Sequence, residues 1–439
     1  MVILTQEHQS RRQRRLSATV TDLDVAIQRA FLVGVTLPGM TTLEEERSLD
    51  ELALLTDTAG SEPVDRDLVK RERIDPATYI GSGKAEELAG LTTALDIDVV
   101  VFDHPLSPAQ QRNLQAVFHC DVVDREALIL DIFAQHASSK VGSLQVELAL
   151  LRYNLPRLRG QGRSLSQQGA GIGTRGPGET KLETDRRRIL QRISKLEREL
   201  KDTARHRTTQ RKQRKRTEIP QIAIVGYTNA GKSTLLNALT GAETLVEDRL
   251  FATLDPTVRR LSLTDNREVL LSDTVGFVRR LPHGLVESFQ STLAEATEAD
   301  LLLHLVDGAA DDPTGQIAAV REVLEEIGAE RIPELLVVNK ADTFSEIQRS
   351  RIANLYPESV LISALEDSSF DGLLMAIVEA LAINTVTLSL TVPYERGDVV
   401  AAAHRFGEVI EEKHDDLGTI LDVRVPTKMV DQFKEFVNA

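Results

Sequence analysis

The stretch that decides the fold is "QIAIVGYTNAGKSTLLNAL", Gln221 to Leu239. In it an apolar run is followed by Gly226-x-x-x-x-Gly231-Lys232-Ser233 and then by a helical pattern of leucines. A loop between strand and helix with this spacing binds phosphate, because glycines let backbone N–H groups surround the oxygens and the helix N-terminus adds partial positive charge. Lys232 is expected to reach the β- and γ-phosphates, and the Ser233 hydroxyl to bind Mg²⁺.

Two further motifs follow at a workable distance along the chain. In "DTVG", Asp273 ends a strand-like run and can hold Mg²⁺ directly or through water, while the Gly276 N–H can contact the γ-phosphate. In "NKAD", the Asp342 carboxylate can accept hydrogen bonds from guanine N1–H and N2–H₂, and the Lys340 stem can lie over the base. Adenine lacks those donors, so the pattern indicates GTP rather than ATP. The backbone of Ser363–Leu365 can meet guanine O6.

The motifs alone do not identify the residues that close over the triphosphate and orient the attacking water. A threonine that binds Mg²⁺ should lie between the two phosphate motifs, and "RLFATLDPTVRRL" offers Thr253 and Thr257. In Ras-like proteins a glutamine that orients the attacking water follows the glycine of D-x-x-G. Phe277 stands at that position and cannot orient water. We therefore expect slow intrinsic hydrolysis that depends on a group from a partner or from elsewhere in the chain.

Composition limits the class of protein. A chain of 439 residues should hold about two to four domains. The single cysteine, Cys120, excludes an internal disulfide and suits a reducing compartment. No apolar run is long enough for a signal peptide or a membrane helix, which predicts a cytoplasmic protein. The net charge is −15, yet Lys181–Arg216 carries fifteen Lys and Arg against five Asp and Glu. An acidic body with one basic segment suggests contact with a polyanion at one place.

The hydrophobic pattern predicts an α/β protein whose GTP-binding domain, a parallel sheet between helices, is preceded by a smaller α/β unit and a helical hairpin. The C-terminal α+β unit is predicted as strand, helix, strand, helix. The apolar stripe of the antiparallel hairpin joins Leu144–Leu155 to Leu182–Leu200. The predicted boundaries are a basic tail 1–24, an α/β subdomain 25–138, a hairpin 139–205 with its tip at 159–179, a basic linker 206–218, a GTP-binding domain 219–383 and a C-terminal domain 384–439.

The predicted hairpin tip is unusual in composition. Between Gly160 and Gly178 it has seven glycines and no acidic residue, and Arg159, Arg163 and Arg175 lie within it or at its edge. Glycine removes side-chain bulk and arginine binds phosphates through two parallel hydrogen bonds, so this segment suits a close approach to a polyanion. A surface loop without a ligand is the alternative interpretation.

Beyond these motifs the chain resembles the HflX-type GTPases of the Obg-HflX group over about residues 25–380. The resemblance rests on "YIGSGKAEEL", "DHPLSPAQQRNL", "GIGTRGPGETKLETDRRRI", "LFATLD" and "DTVGFVRRLPHGLVESF". It implies that Thr253 is the Mg²⁺-binding threonine and that Phe277 follows the family pattern. It further implies binding to the large (50S) ribosomal subunit near the peptidyl transferase centre of 23S rRNA, and dissociation of stalled or idle 70S ribosomes. A cytoplasmic monomer is expected, with peripheral membrane association left open.

The candidate site combines these two sources. Lys232, Thr253 and Gly276 are expected to act in hydrolysis, and Ser233, Thr253 and Asp273 to hold Mg²⁺. The RNA-contact candidates are Arg159, Arg163, Arg175, Arg186, Arg187 and Arg188. The residues expected to contact GTP or GDP are Gly226, Tyr227, Thr228, Asn229, Ala230, Gly231, Lys232, Ser233, Thr234, Phe251, Ala252, Thr253, Leu254, Asp255, Asp273, Thr274, Val275, Gly276, Asn339, Lys340, Ala341, Asp342, Ser363, Ala364 and Leu365.

Two other functions compete with ribosome splitting. One is a GTP-gated assembly or anti-association factor, in which hydrolysis only times release. The other is an ATP-driven RNA remodeller, against which Asp342 argues. A second nucleotide site at "GSGK", Gly81–Lys84, is not favoured, because Thr78 stands where the first glycine should be and Ala85 replaces the Mg²⁺-binding hydroxyl.

Overall fold

In the computed structural model, the chain forms two compact units, Met1–Ile129 and Leu130–Ala439. Side chains of the helix that spans 177–216 are described from 183 to 203. The residues that the structure describes are 27–158, 177–216, 219–241, 250–251, 257–265, 267–280, 290–366, 370–382, 385–415, 418–426 and 429–438. The predicted tail 1–24 lies outside them.

The first unit is a parallel four-stranded sheet with connecting helices, in the strand order β2-β1-β3-β4. Strand β3 is buried along its whole length, as expected when helices cover both faces of a parallel sheet. Ser107 caps helix α3 in a capping box with Gln110, and Pro108 is the first helical residue. The elements are β1 Gln28–Thr36, α1 Thr42–Thr58, β2 Ser61–Lys70, α2 Ser82–Ala94, β3 Val99–Phe102, α3 Pro108–Phe118, β4 Asp121–Asp124 and the start of α4 Arg125–His136.

The second unit begins within α4 and continues through α5 Lys140–Asn154, a 3-10 turn Pro156–Leu158 and α6 Pro177–Arg216. Helices α5 and α6 pack through leucine and isoleucine side chains around the buried Leu148 and Leu196. On either side of this seam, ion pairs join Glu147 to Arg192 at 2.6 Å and Arg152 to Glu197 at 2.9 Å. When the leucines and isoleucines of the seam are placed at heptad positions a and d, Glu147 and Arg192 both fall at position g, and Arg152 and Glu197 both fall at position e. Contacts between equal positions are typical of antiparallel helices, so we infer that α5 and α6 run antiparallel.

Helix α6 differs from the predicted boundaries at both ends. It begins at Pro177, inside the predicted tip 159–179, and it continues to Arg216 through most of the predicted linker 206–218. Lysine, arginine and glutamine favour helices even where no apolar stripe is available to pack, which explains the extension. The segment 159–176 lies outside the described residues.

The region that the sequence predicts to bind GTP contains a six-stranded sheet in the order β10-β9-β8-β5-β7-β6. All neighbouring strands are parallel except β6 and β7. This confirms the predicted α/β architecture. The elements are β5 Gln221–Gly226, α7 Lys232–Thr240, β6 Thr257–Ser262, β7 Glu268–Asp273, α8 Gln290–Thr297, β8 Leu301–Asp307, α9 Pro313–Glu326, β9 Glu334–Asn339, α10 Glu346–Leu355, β10 Val360–Leu361 and α11 Phe370–Ala382.

The C-terminal region is an antiparallel sheet in the order β11-β13-β12 that packs on helix α12. The structure has two strands where one was predicted, so the predicted order of elements was wrong here. The polar, largely exposed β12 and the half-buried β13 form a hairpin. The elements are β11 Thr385–Val392, α12 Gly397–Phe406, β12 Glu408–His414, β13 Thr419–Pro426 and α13 Val430–Phe433. Within the described part of the chain, no helix is apolar over a length that would cross a membrane.

Candidate nucleotide-binding site

The glycine-rich loop connects β5, in the middle of the sheet, to helix α7. Its last glycine, Gly231, adopts a φ of 93° at the N-cap of the helix. A Cβ at this position would lie 2.4 Å from Asn339 Nδ2, so a residue with a side chain does not fit. Position 231 therefore requires glycine for two reasons: the backbone has a positive φ, and Asn339 packs too closely for a side chain.

Lys232 is the first residue of α7, and only 7% of it is exposed. Its Nζ donates a hydrogen bond of 2.8 Å to the Tyr227 carbonyl oxygen, which holds the ammonium under the loop. Burial lowers the pKa of Lys232 to about 8, although the Asp273 carboxylate opposes this shift. An anionic phosphate beside the ammonium would restore its usual pKa.

This lowered pKa predicts a pH dependence of GTP binding. At pH 8.5 much of the free protein carries neutral Lys232, and binding should take up most of one proton, whereas uptake at pH 7 should be small. Above pH 8 the affinity should consequently fall as the pH rises. Calorimetry in two buffers with different ionisation enthalpies measures the proton uptake. Equal uptake at pH 7 and 8.5 would contradict the assignment.

Two side-chain oxygen atoms that could bind a metal ion lie next to each other at the start of α7. Ser233 Oγ donates a hydrogen bond of 2.6 Å to Oδ2 of Asp273, which ends β7 and is 1% exposed. A hydroxyl next to a carboxylate suits Mg²⁺, which prefers hard oxygen ligands and keeps several waters. The alternative ligand Thr257 begins β6 opposite Asp273. Thr253, like Ala252, Leu254 and Asp255, lies outside the described residues.

Asn339, at the carboxyl end of β9, connects its own loop to the loops that follow β5 and β10. Its Nδ2 donates 2.8 Å to the Ala230 carbonyl of the phosphate loop, and its Oδ1 accepts 2.9 Å from the backbone N–H of Ala364. The side chain is 2% exposed, so both hydrogen bonds are sheltered from water. One side chain thereby joins the glycine-rich loop to the segment that follows β10.

The segment after β9 contacts one residue that sequence reasoning missed. Lys340 adopts a left-handed conformation with a φ of 64°, and its Nζ lies 2.7 Å from Oδ2 of Asp307. This ion pair joins the lysine side chain to the end of β8. Asp307 ends β8, and the signal in the sequence was an acid directly after an apolar run, which does not reveal its partner. Asp342 follows in a 3-10 turn with its side chain exposed, where a base could reach it.

The segment after "DTVG" is hydrogen-bonded to the start of the phosphate loop. The N–H of Phe277 donates 3.1 Å to the Gly226 carbonyl, and the N–H of Thr228 donates 2.8 Å to the Phe277 carbonyl. The N–H of Arg279 donates 2.6 Å to the Tyr227 hydroxyl. The Phe277 side chain is 1% exposed, so it belongs to the core. The sequence did not indicate these contacts.

Phe251 is the last described residue before the segment 252–256, and it packs against helix α4. Its ring meets that of Phe133 edge to face, with centroids 4.7 Å apart, and both side chains are buried. Aromatic pairs in this geometry are attractive beyond their burial. The residue next to the predicted Mg²⁺-binding segment therefore has a fixed position.

The described motifs lie together at the carboxyl ends of parallel strands, where α/β sheets bind ligands. They are Gly226–Thr234 after β5, Asp273–Gly276 at the end of β7, Asn339–Asp342 after β9 and Ser363–Leu365 after β10. Among the RNA-contact candidates, Arg186, Arg187 and Arg188 lie on α6, and the Arg188 side chain is 74% exposed. Arg159, Arg163 and Arg175 lie outside the described residues.

Comparison with known families gives three matches along the chain. Residues 46–134 match the family described as GTP-binding GTPase N-terminal, and residues 136–214 match the GTP-binding GTPase middle region. Residues 221–340 match the family described as 50S ribosome-binding GTPase. Together these matches cover more than half of the chain.

Curated relatives match over most of their length. GTPase HflX of Caldanaerobacter subterraneus subsp. tengcongensis is 46% identical, covering 93% of this chain and 94% of the relative. GTPase HflX of Escherichia coli K12 is 42% identical, covering 87% and 91%. A crystal structure of a GTP-binding protein from Sulfolobus solfataricus in complex with GDP matches with a TM-score of 0.42 at 25% identity, covering 81% of this chain and 99% of that one. The chain belongs to the HflX family of GTPases, which bind GTP and GDP with Mg²⁺ and hydrolyse GTP.

Proposed function

We propose that this GTPase binds the large ribosomal subunit in its GTP form and dissociates stalled or idle 70S ribosomes, and that hydrolysis then releases it. The observation that carries the proposal is the basic helix α6, which is 40 residues long and belongs to a protein with a net charge of −15. Such a segment favours one polyanionic partner, and rRNA is the polyanion that a member of a 50S ribosome-binding GTPase family would meet. The proposal places the protein in the cytoplasm.

We assign the residues of the nucleotide site as follows. Lys232 neutralises the β- and γ-phosphates, while Ser233 and Asp273 hold Mg²⁺ together with Thr253. The Gly276 N–H senses the γ-phosphate, and Asp342 selects guanine. Their support is the geometry around the phosphate loop, where lysine, hydroxyl and carboxylate converge beneath one backbone turn.

Arginine contacts to 23S rRNA follow from the same proposal. Arg186, Arg187 and Arg188 lie in the described part of α6, and the predicted tip supplies Arg159, Arg163 and Arg175. We expect the helix to add salt-sensitive affinity and the glycine-rich segment to approach the peptidyl transferase centre. Because buried Phe277 cannot orient water, contact with the ribosome is proposed to stimulate hydrolysis.

Sucrose gradients of intact ribosomes test the splitting function. With a non-hydrolysable GTP analogue, the protein should move 70S particles into the subunit fractions, and with GDP it should not. A factor that only prevents association would leave preformed 70S particles intact while blocking the joining of free subunits. That outcome would replace splitting with the anti-association function.

Removal of the glycine-rich segment is expected to separate ribosome action from nucleotide binding. Deleting Gly160–Gly178 should leave GTP affinity unchanged, because the nucleotide motifs lie elsewhere in the chain, while splitting in the gradient assay should be lost. A variant with a Gly/Ser linker of equal length keeps the hairpin connected and controls for chain closure. Normal splitting by both variants would show that ribosome splitting does not require contact between this segment and rRNA.

A further inference from the structure

The phosphate loop contains a buried hydroxyl that the assignments above leave without a role. Thr228 is the second residue after Gly226, and it is 6% exposed. Its Oγ1 is buried and has no hydrogen-bond partner among the residues that the structure describes. Most buried hydroxyl groups in native proteins are paired, and an exception needs an explanation, of which a catalytic role is one. A valine would fill the same volume without this cost.

The surroundings of Thr228 place it at the end of the site where the γ-phosphate would lie. A Cβ built on Gly276 would lie 2.8 Å from Thr228 Cγ2 and 3.1 Å from Lys232 Nζ. The Thr228 methyl group therefore borders Gly276, whose N–H is assigned to the γ-phosphate, and Lys232 Nζ lies beside the same glycine. The hydroxyl is carried by the same Cβ as this methyl group.

Thr228 is also fixed relative to the residue that replaces the water-orienting glutamine. Its backbone N–H donates 2.8 Å to the Phe277 carbonyl, and the flanking Tyr227 is bridged to Phe277 as in a parallel sheet. Backbone contacts thus join the loop to the segment after "DTVG". A hydroxyl held by this backbone can occupy a constant position while the Phe277 side chain stays in the core.

We propose that the Thr228 hydroxyl orients the attacking water in GTP hydrolysis. The water oxygen forms a bond to the γ-phosphorus, and the bond from that phosphorus to the bridging oxygen breaks with its electron pair remaining on GDP. The proton of the water ends on the released phosphate. Thr228 Oγ1 accepts a hydrogen bond from the water, and it neither gains nor loses a proton overall. Correct alignment of the nucleophile lowers the barrier without changing the affinity for GTP.

Single-turnover hydrolysis by the purified protein, without ribosomes, tests this role. Thr228→Val keeps the shape of the side chain and removes the hydroxyl, whereas Thr228→Ser keeps the hydroxyl and removes the methyl group. We expect Thr228→Val to lose about tenfold or more in rate, with unchanged affinity for a non-hydrolysable GTP analogue. Thr228→Ser should hydrolyse GTP within a few-fold of the wild-type rate, about threefold at most.

Three results would overturn the proposal. A wild-type rate in Thr228→Val would show that the hydroxyl is not used. Equal loss of rate in the valine and serine variants would assign the effect to side-chain shape. Loss of analogue binding in Thr228→Val would make the threonine a binding residue. If Thr228→Val does not fold, Thr228→Ala is measured instead, and a wild-type rate there has the same meaning.

Discussion

Replacing Lys232 with alanine is expected to abolish tight GTP binding, with a loss of about 10²- to 10³-fold in affinity. The ammonium lies under the phosphate loop, bonded to the Tyr227 carbonyl and 7% exposed, so the surrounding protein has already removed most of its water. A triphosphate that enters such a site without the lysine loses its water and gains no opposite charge. Titration of a fluorescent GTP analogue measures the affinity.

Lys84 provides the matched control for this substitution. It follows Gly83 in "GSGK", but its Nζ pairs with Asp67 at 3.0 Å and with Glu87 at 2.7 Å on the surface of the first unit. Lys84→Ala should therefore leave GTP affinity unchanged. If Lys232→Ala bound GTP normally, or if both variants lost binding, the assigned phosphate site would be incorrect.

Replacing Asp342 with asparagine is expected to weaken GTP binding by about 10²-fold or more. The carboxylate can accept two hydrogen bonds from guanine, whereas an amide presents a donor to the exocyclic amino group of guanine. Xanthine carries an oxygen in place of that amino group, so the variant should bind xanthosine triphosphate more tightly than the wild type does. Competition against a labelled GTP analogue measures both changes.

Glu346 is a suitable control for Asp342, because it is a nearby exposed acid at the start of α10. Glu346→Gln should preserve the preference for guanine. An Asp342→Asn variant that bound GTP like the wild type would show that another group recognises the base. ATP that displaced labelled GTP from the wild type as well as GTP does would contradict guanine specificity altogether.

The nucleotide motifs could be predicted from sequence because the ligand determines their spacing. A phosphate loop needs its glycines, lysine and hydroxyl within one turn, and Gly231 shows the reason, since a Cβ there would meet Asn339. The hairpin was likewise predictable, because an apolar stripe with helical spacing has to pack against a second stripe. Both features depend on local chemistry that a single sequence displays.

Contacts between distant segments could not be predicted in this way. The ion pair of Lys340 with Asp307 and the hydrogen bond from Arg279 to Tyr227 depend on which strands become neighbours. The polar strand β12 was missed because most of its residues are exposed, so it lacks the alternating pattern of a half-buried strand. Helix α6 was expected to end earlier because 206–216 has no apolar stripe, although its residues favour a helix.

Co-sedimentation with purified 50S subunits tests the central claim most directly. The account predicts that the protein pellets with 50S subunits in the presence of a non-hydrolysable GTP analogue and stays in the supernatant with GDP. Binding that is equally strong with both nucleotides, or absent with both, would contradict a ribosomal function controlled by the nucleotide.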